Sequence, residues 1–201
     1  MIFYAYQTIT HIAYPERADP LLYEEQMELS KDINVLYMNI RGVLDNFAWC
    51  YMYERSPELE KKLSYNQVGL FSRKFRKLCD PFSEIESAIK VHDSWERELA
   101  TRRDPVAHRI PLYVPNAALT EQESGRYRQL NDEFLAESSI LAFDKSDVAF
   151  DAMYNIGIFH PHFIHNPDDP SIPIYPTIPN DLAHLTRIEK TLEVGLQVPD
   201  S

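Results

Sequence analysis

The chain is predicted to fold as an all-α, up-down helical bundle of four or five helices, with extended N- and C-terminal arms. Three observations carry that expectation. Apolar residues recur at steps of three and four through 21–55, 66–78, 80–103 and 120–143, the spacing that gathers them on one face of a helix. Only 5 of the 201 residues are Gly, too few for a succession of tight hairpins. Helix-start signatures stand just ahead of periodic stretches: Asp19-Pro20, Asp80-Pro81, and Thr120 with Glu123 three residues later. At this length one domain is expected, covering 1–201. It divides into an arm over 1–18, a bundle over 19–143, and a Pro-rich arm with a C-terminal helix over 144–201.

Met1 to Tyr14 is apolar and aromatic without a clear period, and reads as an extended arm ended by Pro15 and Pro20. From Leu21 to about Arg55, Leu29, Ile33, Leu36, Ile40, Val43, Phe47 and Cys50 alternate in steps of four and three, one continuous seam. Past Val43 this helix becomes apolar all round, with Trp49, Tyr51, Met52 and Tyr53 off the seam. That pattern points to a second partner surface, such as a dimer interface. Arg41 and Asp45, four apart, are placed as a surface pair. Asn39 and Asn46 flank the seam, either as polar boundary residues or as the lining of a cleft.

Pro57 to Ser64 is a connection, and Asn66 to Leu78 a second helix with Arg73, Lys74, Arg76 and Lys77, the densest basic cluster of the chain. A solvated face is the ordinary meaning of such a run; a phosphate-contacting patch is the sharper one. The third helix starts at Asp80-Pro81 with Phe82, Ile85, Ile89, His92 and Leu99 inward and Trp95 at the edge. Stepping four from Leu99 places Arg103 on that stripe and Arg102 towards water. Asp104-Pro105 repeats the cap-and-proline signature, so the helix is expected to stop near Arg103 and a fresh turn to begin. Ile110 to Ala118 is extended, and a fourth helix runs from the Thr120 box to about Phe143 through Tyr127, Leu130, Phe134, Leu135 and Leu141. Seven of the 14 prolines fall between Pro161 and Pro199, which makes Phe159 to Pro179 an arm before a last helix over Asp181 to Leu196.

A net charge of −11, from 20 Lys plus Arg against 31 Asp plus Glu, excludes nucleic-acid binding by bulk attraction and demands a local basic patch. Cys50 and Cys79 read as reduced, buried thiols. Met1 to Tyr14 has neither the basic start nor the clean apolar core of a signal peptide. The longest apolar run, Phe47 to Tyr53, is too short to span a bilayer. A soluble, cytoplasmic protein without a membrane partner is therefore expected.

The stretch that offers chemistry is Arg103-Asp104-Pro105-Val106-Ala107-His108. In an unbroken helix positions 103 and 108 stand about 140° apart; a bend at Asp104-Pro105 would turn both side chains into one cleft. This stretch, at the end of a bundle helix, resembles the hallmark of the HEPN superfamily (higher eukaryotes and prokaryotes nucleotide-binding domains): an Arg, a polar follower, then a His after four to six intervening residues. The likeness covers Leu21 to Phe143. It implies a metal-independent ribonuclease without cofactor, active as a homodimer whose two motifs face a shared cleft. Independently, histidine supplies a proton acceptor near neutrality. A guanidinium holds the charge gathering on a pentavalent phosphate. His108 would be the base or acid, Arg103 the charge stabiliser and Asp104 an orienter. Arg102 and Arg109 join the basic cluster as RNA-contacting candidates. The alternative is a non-enzymatic helical module for RNA or protein, since many members of that superfamily are non-catalytic, with Arg103 in a structural ion pair. The partners expected are a second copy, RNA, and a partner protein or antitoxin-like regulator. His160, His162 and His165, with His184 or an Asp, form a weaker zinc candidate. The Pro-bound loop fixes no ligand geometry and no Cys or Glu accompanies it, so no metal is expected.

Overall fold

The computed structural model describes residues 1–55, 57–78, 83–108, 111–139, 143–166 and 168–197, and these are overwhelmingly helical. The helices are α1 (Ile2–Ile12), α2 (Tyr23–Arg55), α3 (Arg73–Leu78), α4 (Ser83–Lys90), α5 (Asp93–His108), α6 (Glu121–Ser139), α7 (Phe143–Tyr154) and α8 (Ile174–Gln197). Among the described residues the sheet is a single antiparallel pair, β1 (His162–Phe163) with β2 (Ile172–Pro173), in register His162↔Pro173. Among them, too, no helix is long and apolar enough to cross a membrane.

α2 is the long helix that the seam requires, but its buried face drifts. Leu29, Ile33, Leu36 and Ile40 are buried as expected; further on the buried residues are Leu44, Ala48, Tyr51 and Met52, while Cys50 is exposed. A straight helix of 3.6 residues per turn slips about 20° per heptad against a 3.5 repeat, so the seam moves round the helix. The exposed Cys50 thus corrects the expectation of a buried thiol; Cys79 lies outside the described residues. The Arg41–Asp45 pair forms, at 3.4 Å. α2 starts at Tyr23 rather than at Asp19-Pro20. The Leu22 N–H donates to Glu25 Oε2 at 2.9 Å, and Arg17 grips the same carboxylate at 2.6 Å. That bond to Arg17 holds the Glu25 carboxyl below its usual range.

Other starts and arms are corrected too. Ile2–Ile12 is a helix, not an extended arm: Ala5, Ile9 and Ile12 are buried at helical spacing, and the exposed Phe3 and Tyr4 hide that period in the sequence. The second periodic stretch is a 3-10 turn at Tyr65–Gln67 followed by α3, and the third is divided into α4 and α5. The expected Pro-rich arm contains α7. Tyr175 is extended (φ −108°, ψ 129°), so the continuous part of α8 effectively begins at Pro176, where a missing N–H costs nothing. The Thr120 capping box forms as written: the Thr120 N–H donates to Glu123 Oε2 at 2.8 Å and the Glu123 N–H to Thr120 Oγ1 at 3.3 Å.

Two compact units share the chain. One comprises Met1–Ile2, Asn34–Pro111 and Pro176–Ser201. Its core includes Ile40, Leu44, Met52, Phe75, Leu99 and Ile188. The other comprises Phe3–Ile33 and Leu112–Tyr175, with Ile9, Leu21, Leu29, Val114, Phe159 and Phe163 buried. In this second unit the extended segment after Leu112 makes two bridges, Tyr113↔Ile164 and Ala118↔Ile158. The buried Gln26 ties it down, its Nε2 donating to Tyr113 Oη and to the Val114 carbonyl, both at 2.8 Å. Gly157, at φ +95°, permits the second bridge, since a Cβ there would meet the Ala118 carbonyl oxygen at 2.5 Å.

Candidate functional site

No fresh helix starts at Asp104-Pro105. α5 runs from Asp93 through Pro105 to His108, so Asp104 is inside the helix rather than at a cap. Backbone positions 103 and 108 therefore stand about 140° apart on one helix. The side chains of Pro105 to His108 lie outside the described residues, as do Arg109 and Ile110. Arg103 Nη1 donates to Asp104 Oδ1 at 2.9 Å. Arg103 and Asp104 line a small pocket of about 200 Å³ with Arg41, Glu96, Leu99 and Ala100.

Of the two adjacent arginines, the one expected to face water is the more deeply buried. Arg102 is buried, 6% exposed, and Arg103 is half-buried. Arg102 Nη2 donates to Asp181 Oδ1 at 2.7 Å, and the guanidinium stands over the Tyr37 ring, 5.7 Å from its centroid. Committed to a buried carboxylate, Arg102 is not available to a phosphate, and its expected place on the water side is corrected.

Asp181 is the hub of this first unit. Besides Arg102, it accepts from Trp95 Nε1 at 2.8 Å and from the Tyr37 hydroxyl at 3.0 Å. Burial pushes its carboxyl up, against the opposing pull of Arg102, Trp95 and Tyr37. Burial and the Asp181 charge also push the Tyr37 hydroxyl well above its ordinary range. His184, one turn after Asp181, lies flat on Trp95 with ring centroids 4.9 Å apart and 7° between planes. Its Nδ1 meets His92 Nδ1 at 2.8 Å. A cleft of about 320 Å³ opens over this group, lined by Ser94, Trp95, Glu98, Arg102, Asp181 and His184. Asp181 and His184 were not foreseen as a centre, yet a signal existed. Ile178, Asp181, Leu185, Ile188 and Leu192 follow steps of three and four, which puts a carboxylate on an apolar stripe.

The basic cluster divides. Arg73, Arg76 and Lys77 line one groove of about 370 Å³ with Lys90, Glu86 and Asp93. Arg76 is held there by Asp93 at 2.7 Å and Glu86 at 3.6 Å. Lys74 instead donates to Gln67 Oε1 at 2.7 Å. Of the two asparagines that flank the seam, Asn39 donates back to the Val35 carbonyl at 2.7 Å, and Asn46 is exposed. His160 and His162 have ring centroids 6.3 Å apart, and among the described residues no three His, Cys, Asp or Glu side chains form a group that could hold a metal ion. Compared with known protein families, characterised proteins and solved structures, the chain matches none.

Proposed function

We propose that this chain is a HEPN-like helical module that binds RNA through its phosphate backbone, working as a homodimer. The observation that supports binding is the groove of α3, α4 and α5. Four cations, Arg73, Arg76, Lys77 and Lys90, stand there against two carboxylates, Glu86 and Asp93, in a chain whose net charge is −11. Asp93 and Glu86 occupy Arg76, which leaves the exposed Arg73, Lys77 and Lys90 to meet phosphates. Association is supported by an exposed aromatic cluster: Trp49 stacks on Tyr53 at 5.6 Å and meets Tyr65 at 5.4 Å, with Tyr65 82% exposed.

A second reading, metal-independent RNA cleavage by Arg103 and His108, is favoured by the place of Arg103 on the wall of a pocket in the last two turns of α5. Because one helix turns the two positions about 140° apart, that reading leans on a second copy to complete the site. One experiment separates the two. Fluorescein-labelled single-stranded RNA is titrated with protein in EDTA at 50 and 200 mM salt, and the same samples are run on a gel. Three phosphate contacts predict a log–log slope near −2, about a 15-fold weakening over that range. Arg73→Glu with Lys77→Glu removes most of the binding. Binding with intact RNA supports the module. Cleavage lost in both Arg103→Ala and His108→Ala supports the nuclease. Absence of salt-dependent binding overturns both.

A further inference from the structure

A contact of 2.8 Å between His92 Nδ1, in the turn just before α5, and His184 Nδ1 on α8 demands that one nitrogen carry a proton and the other a lone pair. Without net charge, one ring is protonated on Nδ1 and its neighbour on Nε2, and the contact is an ordinary N–H···N bond. One added proton leaves an imidazolium donating to a neutral imidazole, a charge-assisted and stronger bond. A second added proton makes both Nδ1 atoms donors. No acceptor remains, and two cations face each other with ring centroids 5.0 Å apart. The contact does not accommodate that state.

The surroundings act in the same direction. From α8, Arg187 and Asp181 face the pair; from α5, Asp93 faces His92 and Glu98 faces His184, while Arg102 is bound to Asp181. Burial, then the neighbouring His184 and Arg187, hold the His92 imidazole below its ordinary value, against Asp93. Burial, then Arg187, do the same to His184, against Asp181 and Glu98. His184 meanwhile covers the indole of Trp95, which is only 6% exposed.

We propose that His92 and His184 form an acid-opened latch, which holds the α8 imidazole over Trp95 with at most one added proton and releases it when the second binds. Release uncovers the indole and widens the cleft lined by Ser94, Glu98 and Arg102. The sign follows from linkage. The unfolded chain protonates both rings near the ordinary imidazole value of about 6.5, and the folded chain only below it. Stability from the latch is therefore complete above that pH and is lost as pH falls through the depressed folded values.

The test uses the full chain carrying Trp49→Phe, so that Trp95 is the single indole. The pH is lowered from 8 to 4.5 while emission, far-UV circular dichroism and imidazole ¹⁵N shifts are recorded. The latch predicts unlike tautomers at pH 8 and two coupled protonation steps. It also predicts a red shift of the indole emission on the second step alone, with helix content unchanged. In His92→Gln and in His184→Phe, which keeps a ring over the indole, that red-shift step disappears. Identical tautomers with independent titration, a red shift surviving in both variants, or loss of helix along with the shift would each overturn the latch. If the variants do not fold, the tautomers and step count of the protein with both histidines intact decide it.

Discussion

Replacing Asp181 by Ala strikes the group on which three elements converge. Its side chain is 2% exposed and that of Arg102 is 7% exposed. In Asp181→Ala the Arg102 guanidinium keeps its charge in a buried place without a counter-charge, a loss of about 3–5 kcal/mol. The Tyr37 hydroxyl and Trp95 Nε1 lose the same acceptor, bonds now 3.0 and 2.8 Å long. For a chain of this length each kcal/mol lowers the melting temperature by about 2–4 °C, so a drop of about 6–20 °C is expected. Urea unfolding followed by the emission of Trp49 and Trp95 reads the unit that contains both indoles and the hub, which matters because two compact units can unfold in separate transitions. The control is Arg102→Met with Asp181→Leu, which removes both charges and fills the space. It is expected to recover at least half of the loss, a coupling of about 2 kcal/mol. A cost below about 1 kcal/mol for Asp181→Ala, the worth of an exposed pair, refutes the buried hub. A double variant as unstable as the sum of the two single ones refutes the coupling.

Two further substitutions probe the second unit. Gly157→Ala places a methyl 2.5 Å from the Ala118 carbonyl at a φ of +95°, and a loss of about 1–3 kcal/mol is expected in urea unfolding; a change within about 0.5 kcal/mol removes the steric argument. Gln26→Leu strands the buried Val114 carbonyl and takes a partner from the hydroxyls of Tyr113 and Tyr154, at a cost of about 1–3 kcal/mol. Unchanged hydrogen exchange at the Tyr113↔Ile164 bridge in that variant would show that Gln26 does not hold the extended segment.

Local signals were legible where one interaction decides the outcome. The Thr120–Glu123 box, the Arg41–Asp45 pair and the length of α2 all follow from contacts within four residues, and each is present. Proline signatures were less reliable. Asp104-Pro105 looks like a start, yet α5 continues through it, although Pro105 forfeits the hydrogen bond to the Thr101 carbonyl. The missed helix α1 shows the opposite error, exposed aromatics obscuring a buried stripe of Ala5, Ile9 and Ile12.

By itself the sequence determined an all-α chain, since spacing of apolar residues at three and four is a property of one helix and needs no partner to be read. It could not choose between Arg102 and Arg103. Measured from the stripe of His92, Trp95 and Leu99, the two arginines stand about 50° to either side, an even split on a helix of 100° per residue. Only the tertiary structure decided, because a carboxylate 79 positions further along, Asp181, is buried on the Arg102 side. The same is true of the imidazole pair: His92 and His184 are 92 residues apart, and no periodicity within α8 encodes that a ring from the turn before α5 will meet it.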